Sequence, residues 1–215
     1  MTDPVDPAAA PPNPAKPLAW LPNALTMARV ALAPAVLFGL VAPALVVREP
    51  LILTVWTAPA AGLILLAALL DWLDGRLARA WSVESDFGRF WDPVADKLVV
   101  GAGLIGAAAA LPTMLVLLPV ALLLWRDAMV TWLRMRSQGA ATIATPLRLA
   151  KWKTAAEYLA LVVLLSATAV ARTLGGGADA AQTSFIVAGL GLLWLACGLS
   201  LWTGGRYAML ALRAS

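Results

Sequence analysis

Long apolar runs, separated by short polar segments, fill most of this 215-residue chain. A membrane-spanning helix needs about 20 largely apolar residues. Four runs meet that requirement: Thr26 to Val47, Leu51 to Leu70, Thr154 to Ala171 and Thr183 to Thr203. We therefore predict a transmembrane helix in each of these runs.

The uncharged stretch from Leu98 to Trp125 is longer than a single span requires. It fits either one tilted helix or a hairpin that turns at Leu111-Pro112-Thr113. Proline interrupts the helical hydrogen-bond ladder, so we favour the hairpin. This choice brings the predicted number of transmembrane helices to six and makes the fold class all-α.

The distribution of basic residues supports six helices. With both termini in the cytosol, all of the 16 Lys and Arg residues except Arg48 and Arg172 fall on or next to the cytosolic side. Cytosolic loops of membrane proteins carry such an excess of positive charge. We expect a polytopic protein of a bacterial-type inner (plasma) membrane, with a polar cleft that faces the cytosol.

The first 17 residues, MTDPVDPAAAPPNPAKP, have a different composition from the rest. They are rich in Pro and Ala and show no hydrophobic periodicity, which is typical of a disordered segment. We predict two parts: a disordered tail over residues 1–17 and a six-helix membrane domain over residues 18–215.

Composition limits which partners and which kinds of catalytic site the chain can have. The chain is 61% hydrophobic and carries a net charge of +4, which suits an anionic lipid surface and anionic substrates. We expect no nucleic acid partner, because the basic residues flank the spans. The chain has no histidine, which excludes Ser-His-Asp and His-metal sites, and its one cysteine, Cys197, lies in an apolar run. Carboxylates and cations must therefore carry any catalysis.

Four carboxylates, Asp71, Asp74, Asp92 and Asp96, are gathered in one polar segment between apolar runs. Charge at a membrane boundary is costly and usually functional. Spacings of three and four residues place each pair on one face of its own helix. Two such faces brought together would form an oxygen-rich pocket suited to a hard divalent cation.

The spacing of this segment is D-x2-D-G-x2-A-R-x8-G-x3-D-x3-D, filled by Asp71, Asp74, Gly75, Ala78, Arg79, Gly88, Asp92 and Asp96. It resembles the signature of the CDP-alcohol phosphatidyltransferase family. The resemblance implies an enzyme in which an alcohol attacks the lipid-linked phosphorus of a CDP-lipid and expels CMP. It also implies Mg2+ or Mn2+ as cofactor, with two ions that clamp the crowded negative charge.

The same resemblance suggests roles for individual residues. Asp71, Asp74 and Asp92 would bind the metals, while Asp96 would be a further metal ligand or the general base. The family favours the base role for Asp96, and Asp92 and Asp96 are the expected catalytic pair. An N-x2-T-x2-R element near the start, formed by Asn23, Thr26 and Arg29, is expected to bind the CDP-lipid. The other residues expected to bind it are Asp74, Gly75, Ala78, Arg79 and Gly88. We expect Gly88 to lie in a loop.

Three further segments, FWDPVADKL, WRDAMVTWLR and KWKTAAEYLAL, resemble a branch of the family that joins CDP-diacylglycerol to sn-glycerol 3-phosphate. A dianionic acceptor needs a basic pocket beside the metals. The cations available for it are Arg126, Arg134, Arg148, Lys151 and Lys153. We expect Asp127 to pair with a neighbouring arginine. The family also implies a homodimer.

The chain departs from this branch at four positions on the acceptor side. Asp127 replaces a glutamate, Trp132 a glycine, Ala150 a glycine and Glu157 a glutamine. These departures leave the identity of the acceptor open. The alternatives to sn-glycerol 3-phosphate are phosphatidylglycerol, as in cardiolipin synthesis, and another alcohol. A divalent-cation transporter is a hypothesis of a different class, and it is disfavoured because no carboxylate lies in the middle of an apolar run.

Overall fold

A computed structural model describes residues 20–46, 50–81, 85–136, 148–173 and 180–214, and all the regular structure among them is helical. The predicted tail over residues 1–17 lies outside the described residues. In chain order the helices are α1 (Leu21–Val46), α2 (Pro50–Trp81), α3 (Asp86–Ala110), α4 (Met114–Arg136), α5 (Arg148–Thr173) and α6 (Ala180–Ala214). The prediction of six helices is confirmed.

The turn between α3 and α4 lies where the hairpin was predicted. The Leu111 N–H donates to the Ala107 carbonyl at 2.9 Å, and the Thr113 carbonyl accepts from the Leu117 N–H at 2.8 Å. Pro112 stands between these two hydrogen bonds and has no N–H of its own to donate. The long uncharged stretch is therefore two helices and not one.

Each of the six helices contains a segment long and apolar enough to cross a membrane. Helices satisfy all their backbone hydrogen bonds internally, which a lipid environment requires. The chain is accordingly an integral membrane protein. The helices extend beyond their predicted apolar runs; in particular, α2 continues to Trp81 and α3 begins at Asp86. The two aspartate pairs lie on these extensions.

Small residues set how closely the helices pack. A methyl group added at Gly106 of α3 would collide with the Leu40 side chain of α1. One added at Gly189 of α6 would lie 2.9 Å from the Leu164 Cα of α5. Close approach at such positions is the usual way in which membrane helices gain packing energy. The core formed in this way is apolar and includes Val36, Ile64 and Leu161.

The polar residues lie near the start of α1, α3 and α5 and near the end of α2, α4 and α6. This alternation, together with the contacts described below, brings them to one end of the helix bundle. Polar side chains from all six helices therefore lie at this end of the bundle.

Candidate active site

A fully buried arginine lies at the centre of the aspartate pairs. The Arg29 side chain has 0% exposure, and its guanidinium contacts carboxylates from two other helices. Arg29 Nη1 pairs with Asp71, while Nη2 lies 2.7 Å from Asp74 Oδ2 and 3.3 Å from Asp92 Oδ1. We call these four residues the acid cluster; it ties α1 to α2 and α3.

Thr26 lies one turn before Arg29 on the same face of α1. Its hydroxyl oxygen is 2.7 Å from Asp92 Oδ1 and 3.4 Å from Asp74 Oδ2. Carboxylates of α2 and α3 are thus close enough to share one hydroxyl and one guanidinium. Three carboxylates facing a single arginine leave a formal charge of −2, which favours a further cation at this place.

The aspartate side chains differ in their solvent exposure. The Asp71 and Asp92 side chains are 49% and 47% exposed, whereas Asp74 is 6% exposed. Asp96 has a buried oxygen, Oδ1, that has no hydrogen-bond partner in the described part of the chain. As the side chains stand, with three of them turned to Arg29, no three metal-binding groups among the described residues form a ready metal site. The ligand types nevertheless fit a hard divalent cation.

A cavity of about 230 Å³ lies on one side of the acid cluster. Its lining comes from α1, α2 and the start of α3, and consists of Pro22, Asn23, Thr26, Asp74, Gly75, Ala78, Arg79, Ser85, Gly88 and Asp92. Every residue in this lining except Pro22, Ser85 and Asp92 was expected to bind the CDP-lipid. The structure therefore brings the predicted nucleotide residues together, while Arg29 lies buried behind them.

Ser85 organises one wall of this cavity, and the sequence pattern had not singled it out. It caps α3: its hydroxyl accepts from the Gly88 N–H at 3.0 Å and donates to Asn23 Oδ1 at 2.8 Å. With its carbonyl oxygen engaged, the Asn23 amide keeps its N–H groups for another partner. A serine just before a helix is a recognisable N-cap signal, so Ser85 could have been found.

Gly88 lies in the first turn of α3, so the prediction of a loop was wrong. The helix begins early because Ser85 supplies an N-cap. A side chain at Gly88 would lie 3.3 Å from both Asn23 Oδ1 and the Ser85 hydroxyl oxygen. Glycine therefore avoids a tight contact with the two capping side chains at this position.

Arg79 is exposed and lines the cavity. Its guanidinium folds back over Gly75, where an added methyl group would lie 3.4 Å from Arg79 Nη1. None of the described carboxylates forms a salt bridge with it. In contrast to Arg29, Arg79 is a cation that can turn to an incoming phosphate.

A second cavity of about 790 Å³ adjoins the first and shares Asp74, Gly75, Arg79 and Asp92 with it. It runs between α2, α3 and α5. Its remaining lining changes from polar to apolar, and consists of Leu65, Ala68, Asp71, Trp72, Pro93, Asp96, Thr154, Ala155, Tyr158, Leu159 and Val162. A space with this lining suits a molecule with a charged head and an apolar body.

A third cavity of about 180 Å³ adjoins the second and shares Pro93, Asp96 and Thr154 with it. Its other lining residues are Lys97, Val100, Arg126, Asp127, Val130, Lys153 and Glu157. Three cavities thus follow one another, with the acid cluster between the first two and Asp96 between the last two.

Ion pairs among Arg126, Asp127, Lys153 and Glu157 border the third cavity, and we call these residues the ion-pair cluster. Asp127 Oδ1 lies 2.7 Å from both Arg126 Nη1 and Lys153 Nζ. Glu157 Oε1 lies 3.2 Å from Lys153 Nζ. The prediction that Asp127 pairs with a neighbouring arginine is confirmed. Two cations and two carboxylates make the cluster formally neutral.

Arg126 also fastens α4 to α6. Its Nε donates to the Ser200 carbonyl at 3.0 Å, and its Nη2 donates to the Thr203 hydroxyl at 2.9 Å. Each of its three nitrogens therefore has a partner within the chain, which is the geometry of a structural tie. The sequence pattern could not reveal Ser200 and Thr203, because they lie within an apolar run.

The structure describes only part of the predicted acceptor side. The side chains of Arg134, Arg148 and Lys151 lie outside the described residues, so their role stays a prediction. Trp132, expected beside the phosphate pocket, is 50% exposed and does not line the third cavity. Of the five predicted cations, the structure brings Arg126 and Lys153 to this cavity.

Comparison with known proteins identifies the class of this protein. Residues 19–202 match the CDP-alcohol phosphatidyltransferase family, and the chain belongs to that family. It is a phosphotransferase, as the resemblance of its aspartate motif implied, and the transporter hypothesis is not supported. Members of the family are generally metal-dependent.

Individual relatives are similar over most of the chain. A CDP-diacylglycerol–glycerol-3-phosphate 3-phosphatidyltransferase of Cereibacter sphaeroides is 33% identical, over 89% of this chain and 95% of the relative. A protein of the same name from Pseudomonas fluorescens is 32% identical over 87% of each chain. A CMP-forming cardiolipin synthase of Oryza sativa subsp. japonica is 31% identical over 90% of this chain, which spans 58% of that relative's length.

Proposed function

We propose that this enzyme transfers the phosphatidyl group of CDP-diacylglycerol to sn-glycerol 3-phosphate, with release of CMP. The observation that carries the proposal is the series of three adjoining cavities with aspartates at both junctions. One cavity suits a nucleotide, the next a lipid, and the third a small acceptor. The names of the bacterial relatives point to the same donor and acceptor.

The first cavity would bind the cytidine diphosphate part of the donor. Asn23 keeps amide N–H groups for it because Ser85 occupies the amide oxygen. Arg79 would contact the pyrophosphate, since a guanidinium forks onto phosphate oxygens. Gly75, Ala78 and Gly88 leave space for the nucleotide. The apolar part of the second cavity would receive the acyl chains.

Asp71, Asp74, Asp92 and Asp96 would hold Mg2+ or Mn2+, as a pair of ions. Bound there, divalent ions would neutralise the pyrophosphate charge and stabilise the leaving CMP. The half-exposed carboxylates of Asp71 and Asp92 and the unpartnered oxygen of Asp96 among the described residues support this assignment. Arg29 would keep the carboxylates together when no ion is present.

The acceptor would enter the third cavity, with its hydroxyl towards Asp96 and its phosphate towards Lys153. Asp96 borders both the lipid cavity and the acceptor cavity, so it is the residue best located to accept the proton of the attacking hydroxyl. Lys153 would bind the acceptor phosphate. Arg126 would act indirectly by holding Asp127, while Arg134, Arg148 and Lys151 are further candidates for the acceptor side.

We further propose that the enzyme lies in a bacterial-type inner membrane as a homodimer, with its active site on the cytosolic side. The positive-inside distribution of Lys and Arg supports this orientation. Water-soluble glycerol 3-phosphate and CMP would then reach the site from the cytosol.

A lipid acceptor such as phosphatidylglycerol is the second candidate. The apolar lining of the second cavity by Leu65, Leu159 and Val162 favours it, as does the name of the rice relative. Such an acceptor would place a second set of acyl chains in or beside this cavity.

Release of CMP by the purified protein tests these alternatives. The protein would be incubated with CDP-diacylglycerol, Mg2+ and one acceptor at a time, with water alone as the blank. We expect CMP release with glycerol 3-phosphate and formation of phosphatidylglycerophosphate. No release with glycerol 3-phosphate but release with phosphatidylglycerol would replace the first proposal by the second.

A further inference from the structure

We propose that Glu157 sets how tightly the acceptor phosphate binds, by competing with it for the ammonium group of Lys153. This inference rests on the proposed function, in which the acceptor is sn-glycerol 3-phosphate. It makes Glu157 a specificity-determining residue on the acceptor side.

Three described cations line the third cavity: Lys97, Arg126 and Lys153. Lys97 is exposed and donates to the Thr131 hydroxyl, whereas Lys153 is the buried lysine whose carboxylate partners a phosphate can replace. Arg126 is held by Ser200, Thr203 and Asp127, so rotating it would break three contacts. Among the described residues, the partners of Lys153 are carboxylates, at 2.7 Å from Asp127 Oδ1 and 3.2 Å from Glu157 Oε1. An arriving phosphate can replace one carboxylate as its partner.

The two carboxylates around Lys153 are not equivalent. Asp127 accepts hydrogen bonds from Arg126 and Lys153 and so links α4 to α5. Glu157 has its only described ion pair with Lys153, and Oε1 accepts no hydrogen bond within the described residues. Asp127 thus positions the lysine, whereas Glu157 mainly contributes charge.

That charge opposes the acceptor. Glu157 is 2% exposed and Lys153 8% exposed at the side chain, so solvent screens their interaction poorly. A dianionic phosphate near Lys153 would meet the Glu157 carboxylate within the same cavity, and like charges in a poorly screened site repel strongly. Glutamine has the same size without the charge, so it would remove the competitor and keep the packing.

The Glu157→Gln variant tests this inference through the KM for glycerol 3-phosphate at saturating CDP-diacylglycerol. We expect that KM to fall about fivefold or more, while the KM for CDP-diacylglycerol stays within about twofold. Glu49→Gln is the matched control, because it makes the same change in net charge elsewhere in the chain, and it should leave both constants unchanged. A purely structural role would lower activity or protein yield and would not improve acceptor binding.

An unchanged or higher KM for glycerol 3-phosphate in Glu157→Gln would overturn the inference. If that variant does not accumulate, Glu157→Asp, which withdraws the carboxylate by one methylene group, should show a smaller decrease in the same KM. Failure of both variants to accumulate would also overturn it, since Glu157 would then be needed for folding. A wild-type protein that releases no CMP with glycerol 3-phosphate would instead reject the proposed function.

Discussion

Two polar clusters lie at the same end of the bundle, and their charges differ. The acid cluster joins α1, α2 and α3 through Arg29, whereas the ion-pair cluster joins α4, α5 and α6 through Arg126 and Asp127. The acid cluster has three carboxylates for one cation. The ion-pair cluster has two of each.

This difference separates two uses of buried charge. A balanced set of buried ion pairs gains little net stability, because desolvation offsets the attraction, but it fixes side-chain positions. An unbalanced set is destabilised by its own repulsion unless a further cation arrives. We infer that the ion-pair cluster positions the acceptor side, while the acid cluster is suited to recruit divalent ions.

The largest effect is expected at Asp92. In the proposed mechanism Asp92 binds a metal ion, so Asp92→Asn should lower the turnover number about a thousandfold or more by removing a charge that would be worth several kcal/mol in the transition state. The protein should still insert into the membrane. CMP release at saturating substrates measures the loss.

Asp127→Asn is the matched change in the ion-pair cluster. It should mainly raise the KM for the acceptor and leave a measurable turnover number, because Asp127 holds Lys153 and does not line the two cavities proposed for the donor. Equal inactivation by the two variants would abolish the distinction between the clusters.

Arg29 tests the same distinction through stability. Arg29→Met should destabilise the protein by about 3–5 kcal/mol, since three aspartates would lose their buried counter-ion. Added Mn2+ should restore part of the loss, because it can neutralise the same carboxylates. Thermal unfolding in detergent, with and without Mn2+, measures both effects.

Arg29→Lys is the control, since it keeps the charge and should lose less stability than Arg29→Met. If Mn2+ failed to stabilise Arg29→Met, the acid cluster would not be the site at which the metal binds.

Arg126→Lys should lower the free energy of unfolding by about 1–3 kcal/mol, because the single ammonium group of lysine cannot reach both the Ser200 carbonyl and the Thr203 hydroxyl. Looser positioning of Asp127 and Lys153 should also raise the KM for glycerol 3-phosphate by a few fold. Unfolding and acceptor titration would be measured on the same preparation. A higher KM for CDP-diacylglycerol alone would assign Arg126 to the donor side.

Gly204→Ala should have the smallest effect, lowering the free energy of unfolding by about 1–2 kcal/mol. Its added methyl group would lie 2.9 Å from Arg126 Cγ and Nε, so the arginine would have to shift. Gly205→Ala is the matched control, because nothing lies within 4 Å of its added methyl group. Equal stability of the two variants would show that the packing around Arg126 tolerates displacement.

The sequence predicted much of the fold and most of the residues that line the first cavity. Apolar run length indicated the six helices, Pro112 indicated the hairpin, and the spacing of Asp71, Asp74, Asp92 and Asp96 placed each pair on one helix. These features depend on local chain geometry. The aspartate motif also led to the family.

Contacts between distant helices were not predictable in the same way. Hydrophobic periodicity reports which face of a helix is buried, but not which helix covers it. From its motif alone, Arg29 was expected to bind the CDP-lipid. Its burial among three aspartates of two other helices became evident only from the structure. The tie from Arg126 to Ser200 and Thr203 spans more than 70 residues and has no local signal.

Anomalous X-ray diffraction from crystals grown with Mn2+ and CDP-diacylglycerol would test the proposed metal site most directly. We predict Mn2+ within about 2.5 Å of carboxylate oxygens from Asp71, Asp74 and Asp92, with the pyrophosphate of the donor beside it. Mn2+ bound elsewhere, with these carboxylates still paired only to Arg29, would contradict the assignment of the acid cluster as the metal centre.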